Sequence, residues 1–258
     1  MRAVVVIPAR YASTRFPGKP LAMLMGKPLI QHVYARACEA KKVDSVVVAT
    51  DDMRIMEAVR KFGGDCVLTH SRHRSGSDRL GEVAGGLDAD VVINVQGDEP
   101  LIEPGVIDAV VEGHAGDQGS DIVTVAVPIL SDRDYADRHI VKVVTDKRGY
   151  ALYFSRAAIP HGWSAGSGEA LRHIGIYGYS RAALLKFVSL PVGELEQTED
   201  LEQLRALENG MRILVVKVDE FKGMGVDTPE DISKVEELMK ERKARGEDPA
   251  PREVKGGG

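Results

Sequence analysis

Short valine-rich runs recur along the first half of the chain, and a helix-length segment separates most of them from the next. Ala3–Ile7, Ser45–Ala49, Asp90–Val95 and Ile122–Val127 are dominated by branched apolar residues and lack the alternation of a half-exposed strand. Runs of this kind suit strands buried on both faces. Pro28–Ala40 reads as a helix, with Leu29, Val33, Ala37 and Ala40 at near-helical spacing. Asp51–Phe62, closed by Gly63 and Gly64, reads as another, as do Ser77–Leu87 and Pro104–Glu112. A short strand at Cys66–Leu68 fits the rhythm. Strands alternating with crossover helices predict an α/β fold: a mostly parallel, Rossmann-like sheet with helices on both faces.

The second half changes character. Val141–Thr145 and Tyr150–Phe154 flank Asp146–Gly149, which predicts a β-hairpin rather than another crossover unit. A strand at His173–Tyr179 follows, then a helix from Arg181, a helix at Thr198–Leu207 and a strand at Arg212–Val218. Thr228, Pro229 and Glu230 supply a cap, a first-turn proline and an acid for a charged helix, Thr228–Lys243. With 258 residues, the reading is one domain over residues 1–245. A smaller hairpin-containing lobe is expected at 131–190, and a mobile Pro/Gly-rich tail at 246–258.

A net charge of −5 with interspersed signs argues against a nucleic-acid partner, which needs a basic face. No apolar stretch approaches the ~18 residues that span a bilayer, so no membrane partner and a cytoplasmic location are expected. Cys38 and Cys66 have no CxxC partner and read as buried, reduced thiols.

Candidate chemistry gathers at strand ends. The first strand runs into Pro8-Ala9-Arg10-Tyr11-Ala12-Ser13-Thr14-Arg15-Phe16-Pro17-Gly18-Lys19. Ligands of open parallel sheets bind beyond the strands' carboxyl ends, and this loop offers guanidinium, ammonium and hydroxyl groups for a polyphosphate. It matches neither GxxxxGK[ST] nor GxGxxG, and a solvated basic loop is the competing reading. Asp98, in Gly97-Asp98-Glu99-Pro100, stands where a carboxylate can hold Mg²⁺ or simply close a turn. Asp227, in Gly225-Val226-Asp227-Thr228-Pro229, can hold metal or cap a helix. Alternation places His173 and Tyr177 on one strand face, where a structural histidine is the ordinary reading. Glu199–Arg205 looks like a solvated helix face. No zinc-site spacing and no Ser-His-Asp arrangement is discernible.

Taken together these segments resemble the 3-deoxy-manno-octulosonate cytidylyltransferase (CMP-KDO synthetase) family. The matching pieces are IPARYASTRFPGKPL (7–21), VATDD (48–52), HRSGSDR (73–79), VQGDEP (95–100), VKVVTDKRGYALYFSRAAIP (141–160), HIGIYGY (173–179), LEQTEDLEQLRALENG (195–210) and GVDTPED (225–231). Ser77 stands where threonine is usual, and Met23–Met25 replaces more polar residues. The resemblance implies a nucleotide-diphospho-sugar transferase fold, CTP and an acidic sugar as partners, Mg²⁺ as cofactor, a role in lipopolysaccharide precursor synthesis and a homodimer.

By position, the resemblance gives catalytic roles to Arg10, Arg15, Lys19 and Asp98. It puts Ala9, Arg10, Ser13, Arg15, Lys19, Arg74, Ser75, Gly76 and Asp78 on the nucleotide. Gln96, Arg156, His173, Tyr177, Glu202 and Gln203 would surround the sugar acid, and Asp98 and Asp227 would bind Mg²⁺. The expected reaction joins CMP from CTP to 3-deoxy-D-manno-octulosonate (KDO). Rival readings are the same chemistry on an amino-KDO or a sialic acid, and a nucleotide-binding homologue without catalysis.

Overall fold

A computed structural model of the protein describes residues 1–12, 15–73 and 75–247. The chain divides into two compact units, one built from residues 2–108 with the segment from Lys222 onward, the other from residues 109–221.

In chain order the first unit comprises β1 (Ala3–Ala9), β2 (Met23–Leu24), β3 (Lys27–Pro28), α1 (Leu29–Cys38), β4 (Ser45–Thr50), α2 (Met53–Lys61), β5 (Cys66–Leu68), α3 (Gly76–Gly86) and β6 (Val91–Asn94). β1 pairs in parallel with both β4 and β6, with Val5 opposite Val46 on one side and Ile93 on the other; β5 extends the ladder beyond β4. Ala3, Val5, Val6 and Ile7 are fully buried, as the unbroken valine run predicts. Each such valine or isoleucine contributes about 1.5–3 kcal/mol through removal from water. The expected parallel sheet is therefore present, and β1 reaches Ala9, two residues further than its sequence suggests.

The chain passes to the second unit within α4 (Pro104–Gly116) and continues through β7 (Ile122–Pro128), α5 (Asp132–Ala136), β8 (Lys142–Thr145), β9 (Ala151–Ser155), β10 (Leu171–Ser180), α6 (Arg181–Ser189), α7 (Glu194–Glu199), α8 (Leu204–Glu208) and β11 (Ile213–Lys217). This sheet is mixed: β7 runs parallel to β11 and antiparallel to β10, and β10 pairs antiparallel with β8. β8 and β9 form the expected hairpin. Its turn closes through Asp146 N–H to the Tyr150 carbonyl (2.8 Å), while the Asp146 carboxylate accepts from the N–H groups of Arg148 and Tyr150. Residues 131–190 lie wholly within this unit. The chain then returns to the first unit, where α9 (Pro229–Ala244) packs Val235 against Leu24, Leu29, Leu101 and Val226.

Two expectations fail. The helix read at Thr198–Leu207 is broken in two: α7 ends at Glu199, Asp200 is left-handed (φ 53°), and α8 starts at Leu204. The break folds Arg205 back onto Glu196 (2.5 and 2.7 Å) and buries Leu201, Gln203 and Leu204. The segment is thus no solvated face. The cysteines are free, as expected, but Cys38 is exposed at the end of α1 and Cys66 is half-buried. Local desolvation still pushes both thiols up to about 11, so they stay protonated at neutral pH.

Candidate active site

β1 ends at Ala9 and delivers the chain to the basic loop. Gly18 closes that loop by donating its N–H to the Tyr11 carbonyl (2.8 Å) at φ +73°, where a Cβ would be strained and would meet the Tyr11 ring at 3.0 Å. The Arg54 guanidinium lies over the same ring, 3.4 Å from its centroid. A single 3₁₀ turn follows, Lys19–Leu21. It places the Lys19 ammonium 2.6 Å from Asp98 Oδ2, 2.8 Å from the Val226 carbonyl and 3.5 Å from Asp227 Oδ1. Arg15 Nη2 is 3.1 Å from the same Asp227 oxygen, with its side chain 69% exposed.

Asp98 leaves the end of β6, and its carbonyl accepts from Val226 N–H (2.8 Å), locking the Asp98 loop to the Asp227 loop. The start of α9 settles what Asp227 does locally. Asp231 Oδ2 accepts from the N–H groups of Asp227 and Thr228 and from the Thr228 hydroxyl. Lys234 first, and these N–H donors with it, hold the Asp231 carboxyl well below the usual carboxylate range. Because Asp231 satisfies the helix start, the Asp227 carboxylate turns to Lys19 and Arg15. Two carboxylates sharing one cationic position form an all-oxygen donor set, which suits a hard divalent cation that takes its other ligands from phosphate and water. Among the described residues no group of three or more His, Cys, Asp or Glu could hold a metal by itself.

A cavity of about 260 Å³ opens at this cluster, with Ala9, Arg10, Arg15, Lys19, Asp98, Ser75, Gly76, Arg79 and Gln96 in its lining. Ser75 and Asp78 cap α3 reciprocally (3.1 and 3.2 Å); Ser75 lines the cavity, whereas Asp78, expected on the nucleotide, does not and serves the helix cap. Gly76 packs against Pro8, and a Cβ on Gly97 would stand 2.7 Å from the Pro8 carbonyl. Arg79 is buried at the cavity, hydrogen-bonded to Thr69 and 3.4 Å from Asp51. Ser13 and Arg74 lie outside the described residues.

In the second unit His173 is buried, 5.4 Å from Tyr177 and 4.9 Å from Phe154 between ring centroids. The two residues therefore share a face, despite an irregularity in β10 between Ile174 and Tyr177. Thr124 Oγ1 lies 2.7 Å from the Ile176 carbonyl and 2.9 Å from His173 Nε2. With its one proton given to the carbonyl, Thr124 must accept from Nε2–H, leaving a lone pair on Nδ1. Burial pushes His173 down to about 3 and raises the Tyr177 phenol well above its ordinary value. Both side chains are neutral near pH 7, so His173 is suited to accepting a hydrogen bond rather than to carrying charge.

Arg156 is held from several directions. Its Nε donates to the Glu199 carbonyl (2.8 Å), its Nη2 to the Asp200 carbonyl (3.2 Å) and its N–H to the Glu199 carboxylate (2.9 Å). Its own carbonyl accepts from the fully buried Lys142 ammonium (2.8 Å), which also reaches the carbonyls of Asp137 and Ile140. Gln203 is buried nearby in sequence, and Glu202 is 3.6 Å from Arg205.

Thus Ala9, Arg10, Arg15, Lys19, Ser75, Gly76, Gln96 and Asp98 meet on one cavity, and Asp227 joins them through Lys19. Sequence reading missed the Val226 carbonyl, Thr124, Lys142 and Glu199. Backbone acceptors leave no residue-type signal. Lys142, inside an apolar strand run, carried one: a lysine at such a position has to be buried with partners or break the run.

Fold and site define a nucleotidyltransferase, and comparison with known proteins gives its class: the cytidylyltransferase family profile matches residues 4–213. A 3-deoxy-manno-octulosonate cytidylyltransferase of Trichlorobacter lovleyi is 47% identical over 93% of this chain and 100% of its own length. That of Syntrophotalea carbinolica is 51% identical over 92% and 98%. The chain belongs to the 3-deoxy-manno-octulosonate cytidylyltransferase family. Among solved structures, CMP:2-keto-3-deoxy-manno-octonic acid synthetase complexed with CTP superposes with a TM-score of 0.89 at 45% identity, covering 94% of this chain and 100% of that one. A cytidylyltransferase from Leptospira borgpetersenii, 17% identical with a TM-score of 0.63 over 95% of each chain, shares the fold.

Proposed function

We propose that the protein joins CMP from CTP to KDO and releases pyrophosphate. The observation that carries this reading is the Lys19 ammonium set between Asp98 and Asp227 at a cavity that also presents Arg10 and Arg15. The sugar's anomeric hydroxyl attacks the α-phosphorus in line as the bond to pyrophosphate breaks; no enzyme nucleophile is required. Arg10, Arg15 and Lys19 hold the triphosphate and offset charge on the departing pyrophosphate. Gly76 and Gly97 let their loops pack against Pro8 at the end of β1, which holds both at the cavity wall. Asp98 and Asp227 would hold Mg²⁺, which when bound would lower the hydroxyl's pKa and draw charge off the leaving group. Arg156, with Nε and Nη2 engaged by carbonyls, turns its remaining donors to the sugar carboxylate, and His173 accepts from a sugar hydroxyl through Nδ1.

Pyrophosphate release measured with CTP, UTP and ATP against KDO, an amino-KDO and a sialic acid tests the proposal. Turnover confined to CTP with KDO supports it; preference for another nucleotide or sugar acid overturns it. Among the described residues no helix is long and apolar enough to cross a membrane; the cytoplasmic role in lipopolysaccharide precursor synthesis rests on the resemblance alone. The homodimer implied by resemblance is checked by sedimentation.

A further inference from the structure

Lys19 and the two carboxylates occupy one another. A lysine ammonium has three donors, and here Asp98 Oδ2 (2.6 Å), the Val226 carbonyl (2.8 Å) and Asp227 Oδ1 (3.5 Å) surround it. The group proposed to grip a triphosphate is thus engaged by the protein. The oxygens proposed to ligate a divalent cation already face a cation. The arrangement is sheltered on the lysine side, where the side chain is 14% exposed, and more open at Asp98 and Asp227, at 34% and 55%.

The backbone at Lys19 is fixed by the 3₁₀ turn, through Lys19 N–H to Phe16 O and Ala22 N–H to Lys19 O. The four-carbon stem can swing about that anchor. A triphosphate offers charged oxygens in place of one neutral carbonyl and two carboxylates, and charge-assisted bonds to it are strong. Once the ammonium leaves, Asp98 and Asp227 face each other with one counter-charge fewer and attract a divalent cation.

We infer that Lys19 is a resident cation that keeps Asp98 and Asp227 closed to metal until a nucleotide triphosphate draws its ammonium away. The free protein accordingly binds divalent cations weakly, and metal enters with the nucleotide. This rests on the reading of Asp98 and Asp227 as metal ligands. It adds that removing Lys19 has opposite effects on two measurements: turnover falls, while metal binding to the nucleotide-free protein rises. Arg15, 69% exposed and touching only Asp227 among these carboxylates, contributes less because solvent screens it.

The test is Mn²⁺ binding to nucleotide-free protein, followed by the loss of the free-ion paramagnetic resonance signal. Lys19→Met should bind Mn²⁺ about tenfold or more tightly than the wild type, since a unit charge is lost a few ångströms from the site. Adding Asp98→Asn to that variant should abolish the gain. Mn²⁺ should also raise the melting temperature of Lys19→Met more than that of the wild type. Lys19→Gln, which keeps a donor for the Val226 carbonyl, serves if Lys19→Met does not fold. Folded Lys19 variants that bind Mn²⁺ no better than the wild type overturn the inference. The ligand reading is tested separately: if Asp98→Asn and Asp227→Asn leave the Mg²⁺ requirement for turnover unchanged, that reading fails whatever Lys19 does.

Discussion

Asp227 and Asp231 stand four residues apart at one helix start, yet their surroundings separate them. Asp231 is bound by three local donors and by Lys234 (2.8 Å), whereas Asp227 faces Arg15 and Lys19. Asp231→Ala should therefore lower stability by about 1 kcal/mol, as loss of a helix cap does, and leave turnover largely intact. Asp227→Asn should do the reverse, keeping the melting temperature and losing about 10²-fold in kcat. Urea melts and steady-state kinetics on the two variants decide it; a large stability loss in Asp227→Asn would return that residue to capping. Arg156→Lys should raise the KM for sugar and leave the KM for CTP near the wild-type value. One lost charge-assisted hydrogen bond is worth roughly 1.5–3 kcal/mol, or about 10- to 100-fold in efficiency. A defect specific to CTP would contradict that role. The charged loop and both carboxylates were legible in the sequence because glycine and proline pin them at strand and helix ends. That Asp231 would free Asp227 was not, since both acids suit a first helical turn equally well.

Among the elements, the parallel strands could be read best, because valine runs buried on both faces have few alternatives. The broken helix at Asp200 could not. Leu201, Leu204 and Leu207 keep a helical spacing through the break, and aspartate tolerates the left-handed conformation without announcing it. This break also delivers the Glu199 and Asp200 carbonyls to Arg156. Asp200 itself is 98% exposed, so its backbone angle matters more than its side chain. Asp200→Gly should be close to neutral in stability, whereas Asp200→Val should cost about 1–2 kcal/mol and raise the sugar KM by loosening Arg156. Urea melts with sugar-dependent kinetics check both halves; equal stability for the two variants would mean that the segment does not depend on the left-handed turn. The hairpin was visible from its turn residues. Its lysine was not foreseen as a strut, although Lys142 joins β8 to the carbonyl after Ser155 and so braces the same arginine.

For the molecule as a whole, buried histidines set an acid limit. The folded value of His173 is about 3 against roughly 6.5 when unfolded, and burial lowers His114 in the same direction. As pH falls below about 6.5, the unfolded chain takes up a proton that the folded chain refuses. The stability contributed above that pH is then lost, by about 1.4 kcal/mol per pH unit for His173, and His114 acts in the same direction. Urea midpoints should drop between pH 7.5 and 5.5, and less steeply in His173→Gln; an equal slope in that variant would remove His173 from the account. The sequence also orders events during synthesis. Lys19 and Asp98 emerge early, but the Val226 carbonyl, Asp227 and α9, which completes the packing around Leu24 and Leu29, come after the entire second unit. At roughly 5–20 residues per second, the ribosome holds a sheet that has Asp98 but not yet Asp227 for several seconds. A nascent chain stalled before Lys222 can pair its strands, yet it has no partner to offer Lys19 from the far loop and leaves Leu24, Leu29 and Leu101 uncovered by Val226 and Val235.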